Sequence, residues 1–197
     1  MMIRVHGDDR IQRRDRANVQ YRSNYRDYID ELKDDFHSRC GYCGKLQVVS
    51  SRDYQIDHFV PQSLAEDRRC DYANLVYSCS VCNYKKSNKW PTGDPDIPHD
   101  DKVGFVDPAS KEYDTHLCRD VEGNIIPKTP VGEYMCKVFQ FSERPIKEVW
   151  MWMKFDEKVS ELEKKMSDEG LSDYERDEMI DLNTEMRKIR RSICGKE

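Results

Sequence analysis

Long apolar runs are missing from this 197-residue chain, and with them any segment that could cross a bilayer as a helix, which takes about 20 consecutive apolar residues. Met1-Met2-Ile3-Arg4-Val5-His6 lacks the apolar stretch of a secretory signal, so the cytoplasm is the expected location and no membrane partner is expected. Internal repeats and low-complexity tracts are absent as well. Apolar side chains are scarce overall. Charged residues make up 36% and the mean hydropathy is -0.93, a lean supply for a core. A metal staple would offset that shortage. Nor is there an excess of positive charge: the net charge of -5 argues against a protein that coats nucleic acid without selectivity.

The charge is unevenly spread. Residues 1–50 carry ten Lys/Arg against eight Asp/Glu, and residues 51–92 carry six against five. Residues 93–142 carry five against ten, and residues 143–197 twelve against fifteen. A phosphate-binding surface is therefore expected in the front half.

Cysteine is what the chain does have. Four of its eight cysteines form two CxxC knuckles, Cys40-Gly-Tyr-Cys43 and Cys79-Ser-Val-Cys82. Four soft thiolates at that spacing suit a closed structural Zn²⁺, whereas disulfides are not expected in the cytoplasm. Cys70, Cys118, Cys136 and Cys194 lie outside the knuckles and read as small buried residues or incidental thiols. Between the knuckles stands Asp57-His58, and Asn83 directly follows the second one. A carboxylate, an imidazole and an amide suit a hard, hydrated cation, a different site from the thiolates.

Apolar residues Val19, Tyr25, Tyr28, Ile29, Leu32 and Phe36 recur at helical steps and predict a helix over about 12–37. Along it run Arg10, Arg13, Arg14, Arg16, Arg22 and Arg26, which suit either a solvated face or phosphate contacts. Residues 48–60 read as two short strands or a hairpin turning at Ser50-Ser51-Arg52-Asp53, stopped by Pro61. A helix is expected from Ser80, as its cap, to Asn88. Prolines and glycines make residues 91–110 an extended loop, and short strands follow to about Ile126 with a turn at Glu122-Gly123-Asn124. From Gly132 the pattern is helical, with two stripes broken at Asp168-Glu169-Gly170 that predict an antiparallel hairpin. The expected fold is α+β: a zinc-stapled ββα-metal core with an N-terminal helix and a C-terminal helical hairpin. Its expected divisions are 1–39, 40–92, 93–142 and 143–197.

The run Tyr54-Gln55-Ile56-Asp57-His58-Phe59-Val60-Pro61, then Asn74-Leu75, then Cys79-Ser80-Val81-Cys82-Asn83, resembles the HNH endonuclease family, in the variant that ends on Asn. His58, Asn74 and Asn83 stand at the three motif positions, separated by sixteen and nine residues. The resemblance covers roughly residues 40–90, and weaker likeness to small stand-alone bacterial HNH proteins continues to Gly132-Glu133-Tyr134. It implies a metal-dependent DNA nuclease leaving 5′-phosphate and 3′-hydroxyl ends, with RNA left open. It also implies a setting in restriction or anti-phage defence, with a partner ATPase or other protein docking on the C-terminal helices.

The chemistry reads independently of the family. A neutral imidazole is suited to take a proton from water, so His58 is the candidate general base. Asp57 and Asn83 supply oxygen ligands to Mg²⁺ or Mn²⁺, and Asn74 is expected to tie the loop that orients His58. Neighbouring residues of a strand face opposite ways, so Asp57 and His58 can share a site only at a strand end or bulge. Lys86, one turn beyond Asn83, is expected to meet a substrate phosphate, with Lys85 and Lys89 as further nucleic-acid contacts. His116 reads as structural, and His6 and His99 carry no signal. The competing reading is a zinc-stabilised nucleic-acid-binding or adaptor module without hydrolytic activity.

Overall fold

The computed structural model describes residues 2–8, 10–49 and 54–194. The expected turn at residues 50–53 lies outside them. The long N-terminal helix is not formed. A 3-10 turn at Arg16–Asn18 and a second at Tyr25–Tyr28 lead into a short helix, α1 (Ile29–Asp35). Short polar side chains interrupt the helix: Asp15 accepts from Ala17 N at 3.0 Å and Asn24 from Arg26 N at 3.2 Å. Tertiary bonds hold the chain just before them, since Arg13 Nε donates to the Leu75 carbonyl at 2.8 Å. The helical period survives where it is buried, at Tyr28, Leu32 and Phe36.

The expected adjacent pair of strands is also corrected. Among the described residues there, β1 (Tyr54–His58) is the one strand, Gln47–Val49 being a 3-10 turn, and its antiparallel partner is β2 (Leu75–Cys79) beyond the 59–74 loop. Tyr54 pairs with Cys79 and His58 with Leu75. The order is thus strand–loop–strand–helix. All of β2 is buried, with α1 packed near it, and β2 runs directly into α2 (Ser80–Lys86). Cys79 rather than Ser80 takes the cap position, without a side-chain bond. The helix stops at Lys86, because Ser87 turns to φ +48°.

Residues 91–110 hold no helix or strand beyond one bridge between His99 and Gly104. Then come α3 (Tyr113–His116), the hairpin of β3 (Leu117–Arg119) with β4 (Ile125–Pro127), and α4 (Pro130–Phe139). Thr129 caps α4 by accepting from Gly132 N at 3.1 Å. The predicted helical hairpin is formed by α5 (Ile146–Asp168) and α6 (Asp173–Cys194), broken at Gly170 with φ +80°.

One apolar cluster joins Leu75, Val76 and Tyr77 of β2 with Tyr28, Leu32 and Phe36 and with Phe105, Met135 and Phe139. A smaller one gathers Val49, Val149, Trp150, Met153 and Ile193. Arg119, 1% exposed, links the two regions. Its guanidinium donates to the carbonyls of Val5, Gly123 and Cys43 at 2.7–2.9 Å and lies 4.3 Å from the Trp150 ring. Burial pushes its pKa down to about 10, and three carbonyl partners offset the cost of enclosing the charge.

Candidate functional site

The two knuckles meet. Ligand atoms of Cys40, Cys43, Cys79 and Cys82 all lie within 4.8 Å of one another, and all four residues are buried. Cys43 Sγ and Cys79 Sγ are 3.9 Å apart. A tetrahedral zinc with Zn–S bonds of about 2.3 Å needs sulfur–sulfur edges of about 3.8 Å, so the cluster fits the ion. Cys43 is held well below the usual thiol value by hydrogen bonds from Cys40, then Cys79 and Cys82. Arg144, just before α5, donates to Cys82 Sγ at 3.3 Å and reaches Cys43 and Cys79 at 3.8 and 3.9 Å. Burial works to lower its pKa, and the thiolates, Cys82 first, more than reverse that. One cation therefore faces three of the four sulfurs, and a zinc complex of all four thiolates would be a dianion.

Beside this staple a groove of about 740 Å³ is lined by β1, the loop after it, α2 and Tyr25 of the N-terminal segment. Asp57, His58 and Asn83 all border it. His58 is the last residue of β1, so the strand end demanded for Asp57 and His58 to share a site is present. On α2, Cys82 turns inward while Asn83 turns to the groove, where its amide nitrogen donates to Gln55 Oε1 at 2.7 Å. That bond leaves the Asn83 oxygen for a cation.

His58 is fixed on both ring nitrogens. Nε2 lies 2.9 Å from the Arg69 carbonyl, which can only accept, so Nε2 carries the proton. Nδ1 therefore holds the lone pair, and it accepts from the Gln62 amide at 2.9 Å. Burial lowers the imidazole pKa, the Arg69 carbonyl and then the Asp57 charge working the other way, which favours the neutral ring. Asn74 stands behind the groove: its oxygen accepts from Val60 N at 2.8 Å and its amide donates to Val60 O at 3.1 Å. It clamps the loop two residues beyond His58.

Asp57 is buried, and both of its side-chain contacts go to Oδ2. Tyr42 donates its hydroxyl at 2.6 Å and Lys86 Nζ lies at 3.3 Å. Burial pushes the carboxyl up and the ammonium down, and their mutual attraction opposes both shifts. Oδ1 stays free of hydrogen bonds among the described residues, so Asp57 and Asn83 each keep an oxygen for a hard dication. The expectation for Lys86 is overturned. Its side chain is 0% exposed and donates to the His58 carbonyl at 2.8 Å, so it has no surface to offer a phosphate. On a helix Lys86 is angularly closer to Cys82 than to Asn83, and burial of the Asp57 charge draws it inward. Lys85 and Lys89 do not border the groove either: Lys85 bonds Gln140, and Lys89 donates to the Lys85 carbonyl at 2.8 Å.

Sequence reasoning missed Tyr42, Gln62, Tyr25 and Arg144. Tyr42 was legible in principle, lying inside the first knuckle. Arg144 left no local signal, since it stands far along the chain from every cysteine it touches.

The four-cysteine cluster and the groove bordered by Asp57, His58 and Asn83 lie together in one ββα unit. Residues 40–89 match the family model described as HNH endonuclease, so the chain carries an HNH domain in that span. The domain supports a nuclease-type function, nucleic-acid binding and use of divalent metal. Comparisons with curated proteins and with solved structures returned no match. No described helix is long and apolar enough to cross a membrane.

Proposed function

We propose that the chain is a metal-dependent endonuclease that hydrolyses DNA phosphodiester bonds in the groove beside the zinc staple. The observation that carries this reading is the hydrogen bonding of His58: the Arg69 carbonyl takes Nε2–H, which leaves Nδ1 basic and in contact with Gln62, in a groove that His58 and Gln62 line together with Asp57 and Asn83. His58 Nδ1 takes the proton of the attacking water once the Gln62 amide has moved aside. Asp57 and Asn83 would hold Mg²⁺ or Mn²⁺, which when bound supplies positive charge for the phosphate and the leaving 3′-oxygen. Asn74 keeps the loop, and with it His58, in place. Lys86 and Tyr42 fix the Asp57 carboxylate from behind. Cys40, Cys43, Cys79 and Cys82 would hold Zn²⁺, which when bound would tie the two ends of the ββα unit together.

The test is cleavage of supercoiled plasmid by zinc-loaded protein with Mg²⁺ or Mn²⁺, comparing wild type with H58A. Loss of a general base should lower the rate about 10²- to 10⁴-fold while zinc content and circular dichroism stay unchanged. No cleavage by the wild type, with DNA binding retained, would instead leave the zinc-stabilised binding module. A place in restriction or anti-phage defence, and docking of an ATPase on α5 and α6, rest on the family resemblance alone.

A further inference from the structure

We propose that Tyr25, Arg26 and Arg69 form a phosphate-binding wall that holds the DNA strand against the His58 side of the groove. This rests on the nuclease reading. Two of the three residues precede the span matched by the family model.

The Tyr25 ring packs edge-on against the His58 imidazole, centroids 4.6 Å apart and planes at 72°. The Arg26 and Arg69 guanidinium carbons lie 5.5 and 5.8 Å from the same Tyr25 centroid. Arg69 is also the residue whose carbonyl holds His58 Nε2–H. Of the three, Tyr25 lines the groove, and Arg26 and Arg69 flank it on the Tyr25 ring, so two cations share one ring that touches the candidate base.

Pairing sorts the arginines of this region. Arg10, Arg13, Arg14, Arg16 and Arg22 are bound to Asp114, Asp107, Asp35, Asp71 and Glu31. Arg68 is bound to Asp96. Arg26 and Arg69 are exposed and have no carboxylate partner among the described residues. In an acidic chain that neutralises the arginines around them, two exposed guanidiniums on one ring without carboxylate partners are left free to pair with an anion. A run of phosphates supplies that anion, and guanidinium forks match phosphate oxygens. The wall would then position the strand, leaving proton transfer to His58.

The experiment is the salt dependence of binding to a short fluorescein-labelled DNA duplex, without added magnesium or manganese, beside a separate cleavage assay. R26Q/R69Q should bind at least about tenfold more weakly at moderate salt, with the slope of log K against log[salt] reduced by about 2. In cleavage the loss should fall on KM more than on kcat. R26K/R69K, which keeps both charges, should keep most of the wild-type slope, and K111Q, an exposed cation outside the groove, should change neither. An unchanged slope in R26Q/R69Q, with the wild type still cutting DNA, overturns the wall and leaves the nuclease reading intact. A reduced slope from a wild type that cuts nothing supports the wall and sinks the nuclease reading. Failure of the wild type to bind DNA at all overturns both.

Discussion

Lys86 Nζ lies 3.3 Å from Asp57 Oδ2 and 2.8 Å from the His58 carbonyl, so one buried ammonium grips both residues at the end of β1. It also lies 5.7 Å from the Phe105 ring centroid, which walls it off from water. The helix that carries Asn83 is thereby locked to the strand that carries Asp57 and His58.

Removing that ammonium strands a carboxylate in the interior. Lys86→Met should cost about 3–5 kcal/mol of stability in urea unfolding, the range for breaking a buried ion pair. Lys86→Met combined with Asp57→Asn should regain much of it, because no charge is then left buried. A single-variant loss below about 1 kcal/mol would show that the pair does not hold the strand end.

Stripping the thiolate site should unfold the ββα unit, since the lean core around it relies on the cross-link. Arg144→Gln tests the outer contact separately. With all four cysteines intact, zinc affinity measured against a competing chromophoric chelator should fall about tenfold or more. Wild-type affinity in that variant would mean that the guanidinium merely sits nearby.

Gln62 donates to the nitrogen proposed to receive the proton of water. Gln62→Ala deletes one hydrogen bond of about 1 kcal/mol, so kcat for cleavage should rise up to about fivefold. A fall in kcat of comparable size would mean instead that the amide orients the water.

His6 is buried, its Nε2 2.6 Å from the Gly41 carbonyl, and burial above all lowers its pKa to about 4. The folded state therefore binds a proton less readily than the unfolded chain. The associated stability is complete above about pH 6.5 and drains away as pH falls towards about 4, up to about 3 kcal/mol in all. Urea midpoints between pH 7 and pH 5 should drop more steeply for the wild type than for His6→Gln, which keeps a donor for Gly41. Parallel slopes would assign the acid sensitivity elsewhere.

Ser87 borders the groove with φ +48° and ψ -139°, a region nearly reserved for glycine. Ser87→Gly should stabilise the chain by about 1 kcal/mol, strain relief outweighing the added freedom of the unfolded chain. A lower melting temperature in that variant would show that its side chain has a role the backbone strain conceals.

How much of this was readable from residues alone differs by feature. The four-cysteine cluster that fits zinc was legible because ligand chemistry is encoded in residue type and spacing, and a CxxC turn brings its own two sulfurs together. The α5–α6 hairpin was legible because a helical stripe is periodic and Gly170 marks its break. The N-terminal helix failed because Asp15 and Asn24 bond their own backbone, a local competition that apolar periodicity ignores.

By itself the sequence determined which groups are available: four thiolates, one imidazole, and the oxygens of Asp57 and Asn83. Tertiary structure alone decided their surroundings. It paired β1 with a strand beyond the 59–74 loop, turned Lys86 inward, set Arg144 over the sulfurs and laid Tyr25 against His58. Those outcomes turn on burying charge and matching surfaces between segments far apart in the chain, and no local pattern records that balance.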